Sequence, residues 1–123
     1  MVLIDSSVWI DHVRRPIVEL SDLLRANQAL SHEWVILELQ CGSWKDRKAF
    51  IQDLLFIPRA PALSLRVMAR WIEHNELYGR GCGFVDLGLL HATVTAKAKL
   101  WTHDNRLHAL AESLGVAYKK TGQ

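Results

Sequence analysis

Short apolar runs suited to strands alternate along this chain with longer segments of helical periodicity, and that alternation limits the fold more than any other feature. Val2-Leu3-Ile4 reads as a buried strand that stops at Asp5. Ala29-Leu30-Ser31 and Lys99-Leu100-Trp101-Thr102 read the same way, with Phe56-Ile57-Pro58 and Val116-Ala117-Tyr118 as weaker candidates. Helices are expected over Ser6 to Val13, from Pro16 towards Ala26, Glu33 to Cys41, Trp44 to Leu55, Leu63 to Tyr78 and Phe84 to Ala98. A last helical stripe of Leu107, Leu110, Ala111 and Leu114 closes at Gly115. Strands separated by helices pair in parallel, because a parallel neighbour needs a long crossover and the helix supplies it. The expected class is therefore α/β, a three-layer sandwich with a short central parallel sheet flanked by helices.

With 123 residues, 50% of them hydrophobic and 23% charged, the chain suits one domain spanning 1–123 with a substantial core. No stretch approaches the roughly 20 apolar residues of a membrane span. Met1-Val2-Leu3-Ile4 meets Asp5 too soon for a signal peptide and lacks a basic start, so a cytoplasmic protein is expected. A net charge of +2 permits a polyanionic partner without demanding one. Cys41 and Cys82 lack the paired spacing of a zinc site and read as reduced thiols, and the six histidines share no ligand spacing.

Four carboxylates stand apart from the other acids. Asp5 and Asp104 follow predicted strands, on the rim where open parallel sheets bind ligands. Glu38 interrupts the apolar run Val35 to Leu39, and Asp86 opens a helix that otherwise reads as buried. Each has a structural alternative. Asp5 and Asp104 suit helix caps, Asp86 suits a first-turn acid facing the helix dipole, and Glu38 suits a buried pair with an arginine. Together, acids forced into proximity raise one another's pKa, and a hard divalent cation relieves that conflict. An oxygen-rich rim of this kind predicts phosphodiester hydrolysis assisted by Mg2+ or Mn2+.

These residues carry a resemblance. Val2 to Ile10, Glu38 to Gly42, Gly83 to Leu87 leading into Leu90-His91-Ala92, and Leu100 to Leu107 running on to Val116 resemble, in order and spacing, the blocks of the PIN domains and of their VapC toxins. The resemblance implies a metal-dependent endoribonuclease, the toxin of a VapBC toxin–antitoxin pair. Its acidic site maps onto Asp5, Glu38, Asp86 and Asp104, with Asp5, Asp86 and Asp104 as the metal ligands. Its hydroxyl positions map onto Ser6 and Thr102, expected to orient carboxylates or water. It further implies an RNA substrate, a cognate VapB-type antitoxin and a homodimer. The alternatives are a PIN-like binding module without catalysis and a PIN nuclease outside any such pair.

Two other α/β classes fail on placement. A haloacid dehalogenase-type phosphatase needs an acid two residues after Asp5, where Ser7 stands. A receiver domain needs paired early acids, and Asp53 lies inside a predicted helix. Arg106, two residues after Asp104, is placed to approach a bound phosphate, whereas Arg14-Arg15 and Lys45, Arg47 and Lys48 suit either phosphate contact or solvated helix ends. His103 suits either a substrate contact or an exposed loop. Trp9, Trp34, Trp71 and Trp101 are expected in the core, Trp44 at an interface, and Gly88 at a close helix contact.

Overall fold

The structure, a computed structural model, describes residues 1–119; residues 120–123, the end of the expected 1–123 domain, lie outside the described residues. Three parallel strands, β1 (Val2–Ile4), β2 (Ala29–Leu30) and β3 (Lys99–Trp101), form a sheet in the order β2-β1-β3. Val2 pairs with Ala29 on one side and Lys99 on the other, and Ile4 pairs with Trp101. Leu3 and Ile4 are both 0% exposed. Successive strand residues point to opposite faces, so a strand buried throughout is covered on both, which requires the three expected layers.

The helices are α1 (Ser6–Arg14), α2 (Val18–Arg25), α3 (Glu33–Gln40), α4 (Arg47–Phe56), α5 (Leu65–His74), α6 (Phe84–Thr95) and α7 (Asn105–Ser113). α2 packs on β2, while α6 and α7 pack on β3. None is long and apolar enough to cross a membrane.

Several expected boundaries move, for local reasons. The helix expected from Pro16 starts at Val18, because the Ile17 N–H donates to His12 Nδ1 at 2.9 Å before the helix begins. The helix expected from Trp44 starts at Arg47. Trp44 instead folds back, its indole N–H donating to the Leu39 carbonyl at 2.6 Å, and Arg47 donates to the Gln40 carbonyl at 2.5 Å. Both residues satisfy carbonyls left open at the end of α3, which gives Arg47 a structural use in place of phosphate contact. Leu63 to Tyr78 shortens to α5, capped by the Ser64 hydroxyl and stopped where Asn75 donates to the Trp71 carbonyl. The α6 helix stops before Lys97, which turns at φ 53°.

Phe56-Ile57-Pro58 is not a strand, since Phe56 ends α4. The extended segment comes slightly later. Ser31 donates to the Pro58 carbonyl and Ala60 donates to the Ser31 carbonyl, each at 2.8 Å, giving one parallel bridge between Ser31 and Arg59. On the other edge Val116-Ala117-Tyr118 makes one bridge, Leu100 with Ala117. Both edges of the sheet are thus partly covered by short extended segments, which limits pairing with another chain.

Trp9 and Trp101 are buried, while Trp34 and Trp71 are partly buried and packed against neighbours. His91 meets Trp71 edge to face at 4.7 Å. His32, also buried, caps α3 by accepting the Trp34 N–H at Nδ1, a structural use for a residue the sequence left unassigned.

Gly88 sits beneath the Trp34 ring, where an added Cβ would lie 2.3 Å from a ring carbon. Alanine is the better helix former by about 1 kcal/mol, but overpacking a filled contact costs about 1–3 kcal/mol. Gly88→Ala is therefore expected to lower the melting temperature. A variant melting at or above the unsubstituted protein would show that Trp34 yields freely.

Candidate active site

β1 and β3 end side by side, and their registry brings Asp5 to Thr102. The Asp5 N–H extends the ladder by donating to the Trp101 carbonyl at 3.0 Å. Asp5 is 6% exposed. Although it occupies the residue before α1, its side chain makes no cap hydrogen bond. Instead Oδ2 accepts from the Thr102 hydroxyl and from the Ser7 hydroxyl, each at 2.7 Å. Those hydroxyls are fixed from behind: the His103 N–H donates to Ser7 Oγ at 2.9 Å, and the Asp104 N–H donates to Thr102 Oγ1 at 3.0 Å. Asp5 Oδ1 is left with only a 3.5 Å approach from Ser6, whose hydroxyl donates at 2.6 Å to Glu38 Oε2.

The other three acids reach the same rim by different routes. Asp104 caps α7, Oδ1 accepting the Leu107 N–H at 3.0 Å, which leaves Oδ2 uncommitted. Asp86 lies in the first turn of α6 and accepts from the Gly83 backbone, so its expected role at the helix start is real. Glu38 corrects an expectation. It lies on an exposed face of α3 beside Leu37, which is 57% exposed, and its partner is Ser6 instead of an arginine. The apolar run around it therefore does not bury it.

The electrostatics show that the four acids share one field. Burial raises the Asp86 pKa above the ordinary carboxylate value, and the charges of Asp5, Asp104 and Glu38 push it further. The same field acts on Cys82, whose thiol is raised by burial and then by Asp86 and Asp104, against a lowering by Arg106. Among the described residues no lysine or arginine forms a salt bridge with any of the four acids. The Arg106 side chain lies across Gly81, close enough that a Cβ there would meet it at 2.9 Å. Arg106 thus lies near Gly81 and Cys82 without being spent on one of the acids.

Among the described residues no group of three acidic, histidine or cysteine side chains forms a ready-made metal cage. The donor set nonetheless fits a hard divalent ion: it is all carboxylate, one member is buried without a cation, and another is held above its ordinary pKa by burial and then by its acidic neighbours. Mutually repelling carboxylates have no force to draw them together before an ion arrives.

Sequence reading missed Ser7. Its signal was available in retrospect, since a hydroxyl two residues after an aspartate at a strand-to-helix turn can reach back to that carboxylate. The Ser6 and Thr102 hydroxyls donate to Glu38 and Asp5 respectively.

A short parallel sheet with four acids gathered beyond its strand ends is the arrangement expected of a PIN domain. No family model matches the chain. It is 38% identical over 118 residues, covering 95% of each chain, to the protein named Ribonuclease VapC32 of Mycobacterium tuberculosis, with the same figures in two strains. The chain belongs to the VapC family of PIN-domain ribonucleases.

A raised Asp86 pKa favours the protonated carboxyl in the folded state, so its stabilising contribution is present at low pH and lost as pH rises through the raised value. At neutral pH without metal, Asp86→Asn is expected to melt above the unsubstituted protein. Mn2+ should then raise the melting temperature of the unsubstituted protein more than that of the variant, and less as pH falls. Equal Mn2+ shifts in both proteins would remove Asp86 from the ligand set.

Proposed function

We propose that residues 1–123 form one domain that acts in the cytoplasm as an endoribonuclease, hydrolysing RNA phosphodiester bonds with Mg2+ or Mn2+. Asp5, Asp86 and Asp104 would hold the ion, with Glu38 completing the catalytic acids. The observation that carries this reading is Asp5 itself: a buried carboxylate with two hydroxyl donors on one oxygen and no cation, whose charge acts on Asp86 together with those of Asp104 and Glu38. Bound there, a divalent ion supplies Lewis-acid stabilisation of charge gathering on the phosphodiester.

The chain's own residues divide the remaining work. Ser7 and Thr102 fix Asp5 through Oδ2 and leave Oδ1 for ligation. The cap bond of Asp104 fixes its Oδ1 and frees Oδ2. Ser6 anchors Glu38 at Oε2, so that Oε1 can orient the attacking water. Arg106, near Cys82 and without an ion pair to the four acids, would meet the phosphate.

The resemblance to a protein named as a VapC ribonuclease supports a cognate VapB-type antitoxin and a second copy of the chain as partners. An unpartnered apolar face supports a protein partner too. Leu65 is 86% and Phe84 73% exposed around a cavity of about 370 Å³ that Trp34 also lines.

Antitoxin-free protein is expected to cut cellular RNA into discrete fragments with Mg2+ or Mn2+ and not with chelator. Asp5→Asn should lose at least about a hundredfold in rate, and Arg106→Glu should weaken RNA binding. Absence of cleavage by folded protein under either metal would favour a binding module, and cleavage undiminished by Asp5→Asn would exclude the acidic mechanism.

A further inference from the structure

Beyond the acid rim, on the side of β3 that faces α7, lies a cleft of about 620 Å³. It begins at the site already described, because Thr102 both lines it and donates to Asp5. Its other polar walls are His103, Asn105, His108, Tyr118 and Lys119, with no carboxylate among them. We propose that this cleft holds the single-stranded RNA flanking the scissile bond, with bases laid against His103, His108 and Tyr118. The inference rests on the ribonuclease reading and specifies where its substrate extends.

Three acids that do not line the cleft hold its side chains. His103 Nδ1 meets Asp11 Oδ2 at 2.5 Å, leaving Nε2 uncommitted. His108 Nε2 lies 3.6 Å from Glu112 Oε1, and Lys119 Nζ lies 3.7 Å from Glu112 Oε2. The Tyr118 hydroxyl donates to Glu19. Each flat or cationic side chain is thus oriented from outside the cleft, so less rotamer freedom is lost when a ligand arrives. Trp101 supplies the floor. It is 4% exposed, packs against Tyr118 at 5.1 Å and meets His103 edge-on at 6.2 Å.

That combination suits unpaired nucleotides over a duplex. Imidazole and phenol rings offer stacking faces to bases that a duplex would keep hidden, and one amide, Asn105, can read a base edge. Lys119 supplies a point charge for the backbone. The volume lies within the range of pockets that take a small organic ligand, about 300–1,000 Å³.

The test is binding of a fluorescein-labelled single-stranded RNA of about ten nucleotides to Asp5→Asn protein, followed by anisotropy in Mg2+. His108→Ala and Lys119→Ala, each added to that background, are expected to weaken binding about tenfold, and Lys119→Ala to flatten its salt dependence. Lys97→Ala is the charge-matched control, because Lys97 precedes β3 at the opposite end of the sheet from the acids. Circular dichroism confirms that each variant is folded. Cleft variants that bind like the control, or a background protein that binds no RNA, would overturn the inference. Cleavage by the unsubstituted protein reports separately. Cleavage with cleft-independent binding overturns only the cleft, whereas cleft-dependent binding without cleavage supports the cleft and overturns the ribonuclease reading.

Discussion

Two hydroxyls donating to one oxygen of Asp5 hold the working end of this molecule together. Ser7 is two residues from Asp5 in sequence, but Thr102 is 97 away, and the Thr102 bond forms only because β1 and β3 lie adjacent and in register. Both hydroxyls in turn accept backbone N–H groups from the loop that carries His103 and Asp104. One short network therefore fixes the Asp5 carboxylate, the loop after β3 and the start of α7. A buried carboxylate would otherwise be costly, and charge-assisted hydrogen bonds offset part of that cost without neutralising it.

What remains is a deliberate imbalance. Arg106 is close enough to influence Cys82 but forms no ion pair with the four acids, and Asp86 stays above its ordinary pKa because it is desolvated and, secondarily, because its acidic neighbours repel it. An internal arginine in contact would stabilise the fold and occupy the position proposed for the ion. On the proposed reading the site gives up stability to keep oxygen atoms free, a trade common where chemistry is performed. The capping roles of Asp86 and Asp104 do not compete with this use, since each cap occupies only part of the carboxylate's acceptor capacity.

The fold was legible where local pattern and burial agree. The apolar triplet Val2-Leu3-Ile4, the run ending at Trp101 and the helical stripes between them lie where periodicity places them. Side-chain contacts across the chain were not legible. Trp44 leaves its expected helix to reach the Leu39 carbonyl, and the extended segment near Pro58 is positioned by Ser31. Glu38 looked buried because Val35, Ile36, Leu37 and Leu39 surround it in sequence, yet only three of those four are buried and the helix turns Leu37 and Glu38 outward. The acids themselves were visible as charges in unusual places. Their convergence was expected from the strand-end placement of Asp5 and Asp104, whereas the part played by Ser7 needed the geometry of the turn.

The central claim is that these carboxylates are arranged for a divalent ion and not for a cation of the protein. Crystals grown with Mn2+ and measured at the manganese absorption edge test it most directly. The account predicts an anomalous peak bounded by Asp5 Oδ1, Asp86 and Asp104. Crystals with no such peak, in which Arg106 or another basic side chain pairs with Asp5, would contradict it.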